Sequence, residues 1–292
     1  MPIRRAVAAP RAVCTALAVL LTVSGCDLAD RTARADDPEQ EPTSTAGRSP
    51  ADPERPKPSD TGRPEPRTST VTLDGAVLRI ESRKAAVVRA DGDVPGLQTV
   101  TLSLALGGTA DLALTSPGTL DVDPDGSITV LDDDGTPVAA IGPPAPPSGS
   151  EDDAPRIEVT DTDATHARVE VDDRVRPAQG SGTAGKAEQK GPLEVTFEVG
   201  THAIESATWG ENEGGRSLAV DPTDWARHAG EAGLDLIRSQ LVAAEPEAES
   251  STMEHQLVCH AVGAPDKSTW NLEPWRPDVG LILTATAHCN PV

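Results

Sequence analysis

The large aromatic side chains restrict the fold of this chain more than any other feature, because they are few and lie together. The 292-residue sequence has no Tyr, and its aromatic residues are Phe197, Trp209, Trp225, Trp270 and Trp275. Aromatic side chains bury about 150–250 Å² each and dominate the cores that contain them. The part of the chain before residue 196 must therefore build any core from small aliphatic residues, so the two parts cannot share one kind of core.

The N-terminus has the pattern of an export signal. Arg4, Arg5 and Arg11 precede or flank the start of an apolar run over residues 13–23, and this stretch contains no acidic residue. The run is about 11 residues long, whereas spanning a bilayer takes roughly 20. It ends in the letters VSGC, which resemble a bacterial lipobox whose cysteine is Cys26.

The lipobox resemblance implies a signal peptide over residues 1–25 and a lipidated Cys26 at the mature N-terminus. Two acyl chains such as palmitate anchor a protein stably because each buried methylene adds about 0.8 kcal/mol. We therefore predict a lipoprotein outside the cytoplasm that is anchored to the cell membrane through Cys26. An ordinary secretory signal with a chance cysteine is the alternative.

A Pro-rich stretch follows the predicted anchor. Residues 29–70 contain eight Pro and no Val, Ile, Leu, Met, Cys or aromatic residue. Such a segment cannot bury enough apolar surface to offset the entropy of ordering it. We predict a disordered Pro-rich linker over residues 26–70, which would reach about 130 Å in the polyproline II conformation.

The charge balance excludes two classes of partner. The chain has 25 Lys and Arg against 47 Asp and Glu, a formal net charge of −22. Binding of nucleic acid needs a basic face, and electrostatic docking on an anionic lipid surface needs one as well. We expect no nucleic-acid partner, and we expect the lipid anchor alone to hold the chain at the membrane.

Short runs of alternating apolar residues, many of them β-branched, fill residues 71–173. Turn sequences such as Asp91-Gly92 and Asp134-Gly135 separate the runs, as in hairpins. A period of two without a helical stripe predicts a β-rich antiparallel domain. Its core is expected to hold Val, Leu, Ile and Ala and no aromatic residue. Residues 174–192, rich in Gly, Ala and Lys, are predicted to be a second linker.

Residues 193–292 combine strand and helix patterns. Three alternating runs occupy residues 193–220, and apolar residues at helical spacing follow at 234–241. Asp221 is predicted to cap one helix, and Ser251 is predicted to open a capping box for another. The predicted fold class is α+β: a disordered stalk, a β-rich antiparallel region and a compact α+β C-terminal module.

One loop matches a metal motif in its spacing. The ligand positions of an EF-hand, with Asp as the final residue, are reproduced by Asp121, Asp123, Asp125, Gly126 and Asp132. No helix pattern flanks this loop, and a turn between two strands explains the Asp and Gly residues equally well. Both interpretations stay open, and we assign no metal site and no cofactor.

Four stretches near the C-terminus carry a family resemblance: RSLAVDPTDWAR (216–227), MEHQLVCHAV (253–262), STWNLEPWRPDVG (268–280) and TATAHCNP (284–291). Together they resemble an uncharacterised C-terminal domain, a domain of unknown function, of secreted and envelope proteins of high-GC Gram-positive bacteria. The resemblance covers roughly residues 203–292, and WNLEPWRP and the Cys-Asn-Pro ending are its most specific parts. It implies a fold and an envelope location, and it implies no activity.

Two cysteines remain in the predicted exported chain, Cys259 and Cys289. An even pair outside the cytosol is typical of a disulfide. The alternative is a metal site formed by Cys259 with His255, His260 and His288, but thiolate ligation is disfavoured in an oxidising compartment. We therefore predict a disulfide bond.

The residues best suited to binding fall within seven positions: Trp270, Asn271, Glu273, Trp275 and Arg276. Tryptophan faces beside amide and charged groups can stack on a sugar ring or dock a protein. The function predicted from them is a non-catalytic cell-envelope module that binds a wall polymer or another envelope protein. In the alternative, both tryptophans are core residues, and Glu273 and Arg276 form an internal ion pair.

Two further functions compete with binding. One is a secreted hydrolase acting on a wall or lipid substrate, for which the candidate acid or base groups are Glu205, Glu211, His255, His260 and Glu273. No spacing selects a pair among these groups, and an active site would have to bring two of them together in a pocket. The other is a purely structural spacer.

Overall fold

The computed structural model describes residues 65–91, 94–145, 155–173 and 191–292. The predicted signal peptide, the predicted lipidation site Cys26 and nearly all of the predicted linker over residues 26–70 lie outside these ranges. Within them, no helix is long and apolar enough to cross a membrane.

Two antiparallel sheets occupy the described chain up to residue 200. In chain order their strands are β1 (Arg67–Thr72), β2 (Val77–Ser82), β3 (Val87–Ala90), β4 (Gln98–Leu104), β5 (Thr109–Leu114), β6 (Thr119–Val122), β7 (Ile128–Leu131), β8 (Pro137–Ile141), β9 (Ile157–Asp163), β10 (His166–Val171) and β11 (Leu193–Gly200). The first sheet has the order β1-β2-β5-β10-β9, and the second has the order β3-β4-β11-β8-β7-β6. The chain is therefore β-rich with antiparallel sheets, as its alternating runs predict.

The two sheets enclose one apolar core. In β4, Val100, Leu102 and Leu104 are buried while their neighbours are partly exposed, because successive side chains of a strand point to opposite faces. The same alternation in both sheets brings these residues together with Leu78, Leu112 and Val169 of the first sheet. The core also contains Phe197, which is 2% exposed, so the expectation of a core without aromatic residues is wrong.

Strand β11 brings that aromatic residue into the core. It pairs along its whole length with β4, from Leu193 opposite Leu104 to Val199 opposite Gln98, and its end pairs with β8. The alternating pattern of β11 predicts a strand of the C-terminal region, because alternation identifies a strand but not its neighbours in a sheet. The domain boundaries themselves stay a prediction.

A three-stranded sheet and several helices follow. Their bounds are β12 (Ile204–Asn212), β13 (Gly215–Pro222), α1 (Asp224–Arg227), α2 (Gly230–Ala244), a 3₁₀ turn (Pro246–Ala248), α3 (Ser251–Gly263), β14 (Trp270–Leu272) and α4 (Leu281–Thr286). The strands are antiparallel in the order β12-β13-β14. Their core contains Leu218, Trp270, Ile237 and Met253 among others, and Leu97 of the preceding region packs with them.

Two helix starts differ from the sequence prediction by one or two residues. The residue before α1 is Thr223 rather than Asp221, because strand β13 continues through Pro222. The residue before α3 is Ser250 rather than Ser251, and the Ser250 hydroxyl accepts a hydrogen bond from the Met253 amide. The sequence pattern favours Ser251, because Glu254 follows it at capping-box spacing, but Ser250 caps the helix through its hydroxyl with Met253 at the third helical position.

The loop with EF-hand spacing is a hairpin turn between β6 and β7. Its carboxylate Asp125 accepts a hydrogen bond from the amide of Glu231 at 3.0 Å, and the Ser127 hydroxyl accepts one from Ala232 at 3.1 Å. These two residues provide acceptors for amides in the first turn of α2. The residue before this helix, Ala229, has no side chain that could cap it. Burial, reinforced by neighbouring carboxylates and opposed by the Ser127 hydrogen bond, raises the pKa of Asp123 to about 6.

Candidate functional site

The segment with the predicted binding residues begins as strand β14. Trp270 and Leu272 are fully buried, whereas Asn271 between them is partly exposed. Trp270 lies beside the His260 ring, with the two ring planes nearly parallel and their centroids 6.4 Å apart. Trp270 is therefore a core residue, and it cannot offer its face to a ligand.

Glu273 follows β14 and is also fully buried. The Gln256 side chain on α3 holds its backbone at both ends: the Glu273 amide donates to Gln256 Oε1 at 3.0 Å, and Gln256 Nε2 donates to the Glu273 carbonyl at 3.0 Å. Its carboxylate accepts hydrogen bonds from Asn212 Nδ2 at 3.1 Å and from Arg276 Nε. The buried charge is thus paired and hydrogen-bonded, as burial requires.

Arg276 is the centre of a hydrogen-bond network although its side chain has no exposed surface. Its guanidinium donates to the carboxylates of Glu273 and Glu213, and Nη1 donates to the carbonyl of Pro291 at 3.1 Å. Burial lowers the pKa of Arg276, but the two carboxylates together raise it by a larger amount. The pKa therefore lies above its ordinary value. Arg276 is a permanent cation that fixes the surrounding chain.

Among the five predicted binding residues, Trp275 is the most exposed, with 45% of its surface accessible. The Arg276 guanidinium carbon lies 4.6 Å from the centre of its ring. The ring also packs against Gly215, where an added Cβ would lie 2.2 Å from Trp275 Nε1. We call the Trp275 ring, with Gly215 and Arg276 against it, the Trp275 platform.

The β12–β13 hairpin supports the platform from a distant part of the sequence. Asn212 pairs with Gly215, so the loop is the two residues Glu213 and Gly214. Both have positive φ, 50° and 86°, as a type I′ hairpin requires. The turn presents Glu213 to Arg276 and Gly215 to Trp275. The Gly-Gly pair in ENEGG is the local signal that could have indicated this turn, but nothing local indicates its contact with Trp275.

The five predicted binding residues therefore divide into two groups. Glu273, Trp275 and Arg276 come together at the platform, whereas Trp270 lies in the core and Asn271 remains on strand β14. The internal ion pair between Glu273 and Arg276 is present, as the alternative interpretation expects, but Trp275 is not a core residue. Sequence reasoning missed Asn212, Glu213, Gly215 and Gln256, which hold the site together.

The other candidate acid and base groups do not meet at one place in the described residues. His260 is buried and Nε2 donates to the Asn271 carbonyl at 3.3 Å; burial, with help from the Lys267 charge, lowers its pKa to about 4. His255 pairs with Asp278 at 3.0 Å, and the Ser251 hydroxyl donates to the same carboxylate. Because this serine bonds to the aspartate and not to the histidine, the histidine does not activate it.

The predicted disulfide between Cys259 and Cys289 is confirmed, with a Cα–Cα distance of 5.5 Å. It joins α3 to the residues just after α4, where the chain nears its end. In the part of the chain that the structure describes, no group of three or more His, Cys, Asp or Glu is placed to hold a metal ion.

Comparison with known proteins identifies the segment that carries the platform. A family model described as "Protein of unknown function (DUF2599)" matches residues 204–292. An uncharacterised protein of Mycobacterium bovis, and uncharacterised proteins of two strains of Mycobacterium tuberculosis, are each 35% identical over 116 residues, covering 37% of this chain and 75% of the relative. The chain belongs to the DUF2599 family.

The DUF2599 match begins at the first residue of β12, so it includes the hairpin, the helices, β14 and the disulfide. It confirms an uncharacterised domain of unknown function over the C-terminal stretches, and the secreted or envelope location stays a prediction. No solved structure matches the chain. The relatives of this DUF2599 protein are uncharacterised, so its function has to be argued from the site.

Proposed function

We propose that this protein is a membrane-tethered lipoprotein of the cell envelope whose compact α+β C-terminal module binds an envelope partner without catalysis. The N-terminal pattern of basic residues, short apolar run and lipobox supports the tether through Cys26. The disulfide supports an oxidising location, because such bonds persist outside the cytosol. The predicted stalk would hold the module away from the bilayer.

The observation that carries the binding proposal is the Trp275 platform. An exposed tryptophan on a flexible loop would lose conformational freedom on binding, which weakens affinity. Here the ring already packs against Gly215 and lies 4.6 Å from the Arg276 guanidinium carbon, while 45% of the Trp275 surface stays exposed. Arg276 is itself held by two carboxylates and a carbonyl. A fixed aromatic face beside charged groups suits stacking on a sugar ring, so a wall polymer is the proposed partner.

The α+β organisation explains how the platform stays rigid. Gln256 on helix α3 hydrogen-bonds to the backbone of Glu273. The β12–β13 hairpin places Glu213 against Arg276 and Gly215 against Trp275. Both elements pack on the same core as Trp270 and Leu272. The module thereby holds Trp275, the most exposed aromatic side chain of the described residues, on a packed scaffold.

The test compares Trp275→Ala with Trp275→Phe and with Ile282→Ala, which removes another exposed apolar side chain. We expect Trp275→Ala to abolish retention of the protein on purified cell-wall material, Trp275→Phe to keep part of it, and Ile282→Ala to keep all of it. The melting temperature of each should stay within a few degrees of the original. Retention that survives Trp275→Ala would remove the basis of the binding proposal.

The tether has a separate test. Cys26→Ala should release the protein from the membrane fraction or leave its signal peptide uncleaved. A Cys26→Ala protein that is matured normally and still sediments with membranes would contradict lipidation at this residue.

A further inference from the structure

A groove beside the disulfide is distinct from the Trp275 platform. It lies between the C-terminal half of α3 and helix α4, has a volume of about 430 Å³ and includes Cys259 and Cys289 in its wall. Its remaining wall is mostly small or aliphatic and includes Val258, Val262, Ala264, Leu281 and Ala285. We call it the disulfide groove. Its size and apolar character are those of a small-molecule site.

The rim of the disulfide groove is apolar as well. Val262 is 80% exposed and Leu281 is 41% exposed, and both line the groove. Ile282 and Leu283, the next residues of α4, are 82% and 58% exposed. Two helices that pack on each other thus leave neighbouring large apolar side chains in water, which marks a binding surface.

Lys267 and His288 are the basic residues that line the groove besides the buried His260. Lys267 lines the groove, and none of the ion pairs among the described residues includes it. The neighbouring Asp266 pairs with His228 instead. His260, also in the wall, is buried and uncharged at neutral pH. In a chain with 47 acidic and 25 basic residues, an unpaired lysine beside an apolar groove selects an anionic amphiphile.

The geometry points to a binding site for one long-chain alkyl carboxylate in the disulfide groove, with the alkyl chain between α3 and α4 and the carboxylate at Lys267. A groove of about 430 Å³ lies within the size range of small-molecule sites. A single acyl chain of medium length matches this volume. A nucleotide or a sugar does not, because the wall offers few polar partners.

The length of the alkyl chain provides the first test. The full chain carrying Cys26→Ala, which removes any anchor lipid of its own, is titrated calorimetrically with octanoate, decanoate, dodecanoate and tetradecanoate below their micelle concentrations. Each buried methylene should raise affinity up to about fourfold, and the gain should level off once added methylenes extend beyond the groove. Affinity that does not depend on chain length would overturn the proposal.

Matched variants locate the ligand. Ala285→Trp fills the groove from its exposed wall, whereas Thr286→Trp adds the same ring on the next residue of α4, which does not line the groove. We expect Ala285→Trp to weaken dodecanoate binding at least tenfold and Thr286→Trp to leave it unchanged, with similar melting temperatures. Equal binding by both variants would place the ligand elsewhere and overturn the assignment.

A second pair of variants tests the headgroup contact. Lys267→Gln should weaken dodecanoate binding about fivefold, the effect of losing one solvent-accessible charge pair, and should leave dodecanol binding unchanged. Lys84→Gln, at a lysine of the first region, serves as the control. If Lys267→Gln weakens dodecanoate and dodecanol equally, Lys267 does not recognise the carboxylate, and that part of the proposal is wrong.

Other occupants of the same surface give different results. Binding of the unlipidated chain to phosphatidylcholine vesicles, lost in Ala285→Trp, would mean that α4 enters the bilayer. Concentration-dependent dimerisation lost in Ala285→Trp would mean that a second copy covers the face. Either result would overturn the ligand site. Trp275→Ala should not change dodecanoate affinity, so failure here is distinguishable from failure of the platform.

Discussion

Removing the Arg276 side chain tests the physical logic of the platform most directly. Arg276→Met keeps the aliphatic stem but leaves the Glu273 carboxylate, which is fully buried, without its charge partner. It also leaves the Pro291 carbonyl without its donor. The third partner, Glu213, has a side chain that is 56% exposed and can turn to water. The cost should therefore come mainly from Glu273.

The expected loss is about 3–5 kcal/mol of unfolding free energy, because removing one partner of a buried ion pair leaves an uncompensated charge. For a domain of 150–250 residues, 1 kcal/mol corresponds to roughly 2–4 °C in Tm. The melting temperature should therefore fall by roughly 6–20 °C. The double variant Glu273→Gln with Arg276→Met should recover much of this loss, because it removes both charges and keeps the hydrogen bonds to Asn212 and Gln256.

Thermal unfolding followed by circular dichroism measures these differences. Arg216→Met is the matched control, because Arg216 pairs with Glu247 at the surface, where both side chains are at least half exposed. This control should melt close to the original protein. The reasoning would be refuted if Arg276→Met melted like Arg216→Met, or if the double variant were as unstable as the single one.

Three further outcomes follow from features of the fold. Replacing Cys259 and Cys289 with Ser should lower the unfolding free energy in urea by roughly 3–4 kcal/mol, since the closed loop spans 30 residues; a urea midpoint unaffected by reductant would contradict this. Asp123→Asn should increase the unfolding free energy at pH 8 by about 1 kcal/mol, seen as a higher Tm. This value allows for the partial exposure of Asp123 to solvent, which weakens the effect of its charge. This gain should disappear as the pH falls from about 6 to 4, because the raised pKa means that the folded protein binds the proton more tightly; a pH-independent gain would rule out this cause. Gly215→Ala should displace the Trp275 ring and weaken retention on cell-wall material without a large change in Tm, and full retention would show that the ring position is unimportant.

Local pattern was enough to find many elements. Strands such as β8 lie in the region of residues 71–173 whose alternation predicts strands, and α3 begins at Ser251, where the capping pattern predicts a helix. Alternation with period two and apolar spacing of three to four residues are direct consequences of strand and helix geometry. The disulfide was also predictable, because only two cysteines remain in the predicted exported chain.

Sheet membership and the contacts of the site were beyond local pattern. Strand β11 has a clear alternation, but pairing with β4 joins residues about 90 positions apart. Trp270 and Trp275 are five residues apart in one stretch, yet a strand buries the first and the turn after Glu273 exposes the second. Gly215 lies 60 residues before Trp275, so its role as the surface under the ring is visible only after folding.

The amides of Glu231 and Ala232 in the first turn of α2 donate hydrogen bonds to Asp125 and Ser127, and this has a consequence for the order of folding. These hydrogen bonds join residues 106 and 105 positions apart, so the start of α2 is completed by a turn made long before it on the ribosome. Contacts of such sequence separation slow folding, because a long loop must close before they form. We therefore expect the β6–β7 hairpin to form before the first turn of α2 is complete. Two hydrogen-bond acceptors that the DUF2599 segment needs are supplied by residues that precede it in the sequence.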